Sequence, residues 1–73
     1  MRKYSVSIRG HRTSYSLEEP FQKELLQLAR KRKQSVASLI TEIDEARTED
    51  TNLSSAIRLR ILEELSGKRV STS

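Results

Sequence analysis

The chain has 73 residues and no cysteine, and its 14 lysines and arginines against 10 acids give a net charge of +4. This allows one small domain, which needs help from outside its own core, and excludes a disulfide framework or a thiolate metal site. A single histidine, His11, excludes a histidine-rich site, no apolar run approaches the ~18–20 residues of a membrane span, and no signal-peptide-like run follows Met1. The expectation is a soluble cytoplasmic protein with no cofactor and no metal.

The charge is segregated. Arg2, Lys3, Arg9 and Arg12 lie in a first segment without an acid, and Arg30-Lys31-Arg32-Lys33 form a second basic cluster. The acids gather later, at Glu42, Asp44, Glu45, Glu49, Asp50, Glu63 and Glu64. A four-residue charge run is often only solvated surface, but two basic segments set apart from the acids point to a polyanion.

Tyr4-Ser5-Val6-Ser7-Ile8 alternates apolar and polar residues, with the apolar ones at even numbers. After Arg9-Gly10-His11 the apolar residues Tyr15 and Leu17 sit at odd numbers. A glycine at a phase flip marks a bulge, a bend or a turn. Residues 1–10 therefore read as a basic N-terminal arm that is disordered, folds back as a hairpin partner, or tracks along a ligand. His11 to Leu17 reads as one short strand, with Thr13, Tyr15 and Leu17 on one face and Arg12, Ser14 and Ser16 on the other.

Three helices follow. The first is expected from about Glu19 to Arg32, with Pro20 in the first turn and acids at its start. Glu18 is a poor cap by type. Phe21, Leu25 and Leu28, with Ala29 beside them, make its buried stripe, and Leu26 lies off it. Ser35 caps a second helix, about Val36 to Ala46, whose Val36, Leu39, Ile40 and Ile43 repeat at i, i+3, i+4, i+7. After a polar loop, Asn52 caps a third helix, about Leu53 to Ser66, ended by Gly67. Leu53, Ile57, Ile61 and Leu65 form one row. Leu59 and Leu62 widen the apolar arc enough to suggest that this helix packs in a dimer core or across the partner. Residues 67–73 read as a short flexible tail.

A lone strand leaves hydrogen-bonding groups open on both edges. Its simplest partner is its own copy, so two chains related by a two-fold axis would pair their strands antiparallel. Tyr15, Leu17, Phe21, Leu25, Leu28, Val36, Leu39, Ile40 and Ile43 would form the dimer core. The outward face would present Arg12, Ser14 and Ser16 twice, on a two-stranded ribbon of the kind that fits the major groove of B-DNA. Arginine grips guanine through two hydrogen bonds, and serine serves either donor or acceptor edges.

Arg12-Thr13-Ser14-Tyr15-Ser16-Leu17-Glu18, Leu25…Leu28-Ala29 and Ser35-Val36-Ala37-Ser38-Leu39-Ile40 together resemble the ribbon-helix-helix (Arc/MetJ-like) family of DNA-binding domains. The resemblance covers about residues 11–46. Asn52-Leu53-Ser54-Ser55-Ala56-Ile57-Arg58 resembles a proteobacterial branch of that family with an added third helix. The resemblance implies a mainly α ribbon-helix-helix homodimer over residues 11–66, with one short strand per chain, binding double-stranded DNA as a transcriptional repressor. It implies base reading by Arg12, Ser14 and Ser16. It also implies phosphate binding at the start of the second helix by Ser35, Val36 and Ala37, with Lys31 and Lys33 beside it. Many family members carry glycine in the turn where this chain has Lys33.

Nothing in the chain suggests an enzyme. Tyr15 has no partnering base, and Asp44 and Glu45 have no spacing partner for paired-carboxylate chemistry. The alternative is an antitoxin-like or adaptor dimer whose main role is to hold a protein partner through residues 1–10 and the exposed side of the third helix.

Overall fold

The computed structural model describes residues 1–67. Its elements are β1 (Arg2–Ile8), β2 (His11–Leu17), α1 (Glu19–Lys31), α2 (Val36–Ala46) and α3 (Leu53–Ser66). The fold is mainly helical, with a two-stranded antiparallel sheet and an added third helix. The flexible tail expected at 67–73 lies, apart from Gly67, outside the described residues.

The structure departs from the single-strand reading. β1 pairs with β2 over its whole length, from Ile8↔His11 next to the turn to Arg2↔Leu17 at the open end. Of the three conformations open to the arm, this is the hairpin. The reason lies in two residues. Arg9 and Gly10 both have positive φ, 51° and 82°, as a two-residue turn of the hairpin-compatible hand requires. Gly10 adopts this conformation without the Cβ clash that disfavours it elsewhere. The turn also reconciles the phase flip: Tyr4, Val6 and Ile8 face inward beside Thr13, Tyr15 and Leu17. An exposed ion pair from Arg9 to Glu45, 2.9 Å, ties the hairpin tip to the far end of α2.

α1 starts without a side-chain cap at Glu18, and Pro20 occupies its first turn. Glu18 instead accepts a hydrogen bond from Arg58 of α3 at 3.0 Å. The α1–α2 turn closes through Lys33, whose φ is 56°. The Lys33 N–H donates to Arg30 O and the Gln34 N–H to Ala29 O, both at 3.0 Å. This is the left-handed helix stop for which glycine is the usual residue; lysine adopts it here at a steric cost. Ser35 caps α2 by accepting from the Ser38 N–H, and Asn52 caps α3 by accepting from the Ser55 N–H. Gly67 ends α3 with φ of 67°.

The residues expected to form a dimer core are packed within one chain. Tyr15, Leu17, Leu25, Leu28, Leu39, Ile40 and Ile43 are buried, and Phe21 and Val36 pack against them half-buried. Ile8 from the arm and Leu53, Ala56, Ile57 and Ile61 from α3 complete the cluster. α3 is therefore a structural part of the core. Its expected row breaks at Leu65, which is 58% exposed. Each step of four residues rotates the row by about 40°, so by Leu65 it has left the arc facing the core. Leu59 and Leu62 lie on the opposite side and are equally open.

Candidate nucleic-acid interface

The outer face of the hairpin follows from strand alternation. Side chains of Lys3, Ser5 and Ser7 on β1 share it with Arg12, Ser14 and Ser16 on β2, in the cross-strand pairs Lys3↔Ser16, Ser5↔Ser14 and Ser7↔Arg12. All are exposed except Ser16, which is half-buried. No acid occurs in either strand. The inner side is held by the stacked Tyr4 and Tyr15 rings, 5.5 Å between centroids, and by the Tyr15 hydroxyl, which donates to Gln22 at 2.9 Å. Burial pushes the Tyr15 phenol above its ordinary pKa, against the opposing pull of the Gln22 hydrogen bond.

Most of the arginines are occupied. Arg2 pairs with Glu19, Arg9 with Glu45, Arg32 with Glu42 and Glu64, Arg47 with Asp44, and Arg58 with Glu18. Arg58 holds the Glu18 carboxyl below its ordinary pKa. Among the described residues, Lys3 and Arg12 on the ribbon and Lys31 and Lys33 beside α2 have no such acid partner. Lys23, Arg30 and Arg60 are likewise without one, so the expected cations are among those left available, while Arg32, in the middle of the basic run, is fixed as a bridge between helices.

At the start of α2, Ser35 is exposed and its hydroxyl serves the Ser38 N–H. The N–H groups of Val36 and Ala37 are first-turn donors without an intrahelical partner. A helix start with free N–H groups favours an anion. Lys31 and Lys33 are exposed immediately before it. Ser16 is less open than Arg12 and Ser14 because its backbone N–H donates to Ser54 Oγ at the start of α3, 2.9 Å. The sequence reading did not include Lys3, Ser5 and Ser7 on the ribbon face. The signal was present in the alternation from Tyr4 to Ile8, but became decisive only with the turn at Arg9-Gly10.

A sequence model of the ribbon-helix-helix domain matches residues 1–65. With this match, the strands and the helices, the chain belongs to the ribbon-helix-helix domain family, whose members are typically DNA-binding transcription regulators or antitoxins. No curated protein and no solved structure matches the chain. No helix among the described residues is long and apolar enough to cross a membrane.

Proposed function

We propose that this protein is a sequence-specific, DNA-binding transcriptional regulator that acts as a repressor. It works in the cytoplasm on the nucleoid, as a homodimer on an operator with dyad symmetry. The ribbon enters the major groove, where Arg12, Ser14 and Ser16 meet base edges. Lys31, Lys33 and the backbone N–H groups of Ser35, Val36 and Ala37 hold phosphates and set the register. The phosphate contacts supply salt-dependent affinity and the ribbon supplies sequence choice. One observation carries this reading. Arg12 stands unpaired among hydroxyls on a face without a carboxylate, while Arg2, Arg9, Arg32, Arg47 and Arg58 are tied to acids.

Gel-shift titration against salt, followed by selection from a random duplex pool, tests it. The expected result is a defined consensus and an affinity that falls steeply with salt. A protein that gives no specific shift at low salt refutes it. A second reading, an antitoxin-like or adaptor role, is favoured by Leu59, Leu62 and Leu65, which leave an open apolar stripe on α3. Copurification with a stoichiometric protein partner, without a DNA shift, selects that reading.

A further inference from the structure

β2 ends at Leu17 and α1 begins at Glu19, so a single residue, Glu18, joins the strand that carries Arg12, Ser14 and Ser16 to the first helix. The positive start of a helix favours a carboxylate there, yet the Glu18 side chain caps no N–H of α1. It accepts instead from Arg58 Nε at 3.0 Å, forty residues away on α3. One turn before Arg58, and so on the same side of α3, Ser54 Oγ accepts from the Ser16 N–H at 2.9 Å. α3 thus holds the chain on both sides of Leu17, which is fully buried. The Arg58 side chain is 28% exposed and that of Glu18 41%, so the pair is partly shielded from water and salt.

Resting on the DNA-binding reading above, we propose that Arg58 is a positioning residue for base recognition: through Glu18 it fixes the angle at which the reading strand leaves α1, without touching DNA itself. The apolar contacts of Tyr15 and Leu17 set how deep the strand lies. Such contacts are non-directional and leave the tilt to the directional bonds at the strand's end. Those bonds act through a long lever. Arg12 lies six residues before Glu18, about 20 Å along an extended strand. A swing of about 5° at the joint therefore moves Arg12 by about 1.7 Å. A base-edge hydrogen bond spans only about 2.7–3.2 Å between heavy atoms, so a shift of that size breaks it. The ion pair of Arg9 with Glu45 near the hairpin tip is more than half exposed on both sides and restrains the tilt less. Phosphate contacts by long, flexible cations follow a tilt that base contacts do not. Losing the Arg58–Glu18 pair thus blurs sequence choice and leaves charge-driven affinity standing.

The test measures binding of the full chain to three duplexes: one selected from a random pool, the same duplex with one base pair changed, and an unrelated one. The variants are Arg58→Met, which keeps much of the apolar stem, Glu18→Ala, and both together. Each is expected to lower discrimination between the first two duplexes about three- to tenfold. The double variant loses no more than either single one, because both changes remove the same bond. For Arg58→Met, affinity for the unrelated duplex and the salt slope stay at the wild-type values, and the melting midpoint falls by no more than a few degrees. Undiminished discrimination overturns the proposal, as does a double variant whose loss is the product of the two single losses. A salt slope lowered by about 1 in Arg58→Met makes Arg58 a phosphate contact instead. Affinities for all three duplexes that fall together with the midpoint make the pair merely structural. Each of these results leaves the DNA-binding reading intact. A wild type that distinguishes no duplex overturns that reading, and the positioning role with it.

Discussion

Replacing Lys33 by glycine should change stability and DNA binding in opposite directions. Lys33 holds φ at 56° in the stop of α1, a conformation that costs a residue with a Cβ about 1–2 kcal/mol. Glycine removes that cost, but its freer unfolded chain takes back about 0.4–1 kcal/mol. The net expectation is a gain of about 0.5–1 kcal/mol. For a domain of this size that raises the melting midpoint by about 3–6 °C. The same change removes a cation beside the open start of α2, so binding to every duplex weakens and the salt slope falls by about 1. Lys33→Ala is the control, because it loses the charge and keeps the backbone strain. Circular dichroism melting and salt-dependent gel shifts measure the two effects separately. A Lys33→Gly protein that melts at or below wild type refutes the reasoning about the turn. One with an unchanged salt slope refutes the phosphate contact.

Four further outcomes are expected. Arg12→Ala loses about 1–3 kcal/mol of discrimination at one base pair per half-site with melting nearly unchanged; selected-site sequencing and calorimetry check the two effects. A Cβ added at Gly10 meets no atom within 4 Å, so Gly10→Ala carries only the backbone cost of a positive φ, about 1 kcal/mol, and an unaltered midpoint would contradict the turn. Ile57→Ala opens a cavity under a fully buried side chain and should cost about 2–5 kcal/mol, whereas a merely appended third helix would melt with little change. Burial raises the Tyr15 pKa in the folded state, so the protonated phenol stabilises the fold. That contribution is full below the ordinary phenol value near 10 and is lost as pH rises through the folded value. Alkaline melting curves should show this loss, and Tyr15→Phe should reduce it.

The helices were legible because their signals are local. Ser35 and Asn52 are good caps by type, and α2 and α3 run over the expected residues. α1 stops one residue earlier than its pattern suggested, at Lys31. The faces of β2 were legible too, since alternation alone separates Tyr15 and Leu17 from Arg12 and Ser14. Availability of the cations was not. Arg32 and Arg12 look alike in a sequence, and only the approach of Glu42 and Glu64 occupies the first.

From the sequence alone came β2 and the three helices in their order, the polar outer face of β2, the helix start that favours an anion and the resemblance to the ribbon-helix-helix family. The tertiary structure decided which strand β2 pairs with and how α3 is used. Pairing joins residues as distant as Arg2 and Leu17, and it depends on two turn residues taking a left-handed backbone together. Arginine before glycine is not a combination that announces this. The core role of α3 was equally hidden, because Ile57 and Leu59 are the same kind of residue until the helix is rotated against α1, α2 and the hairpin.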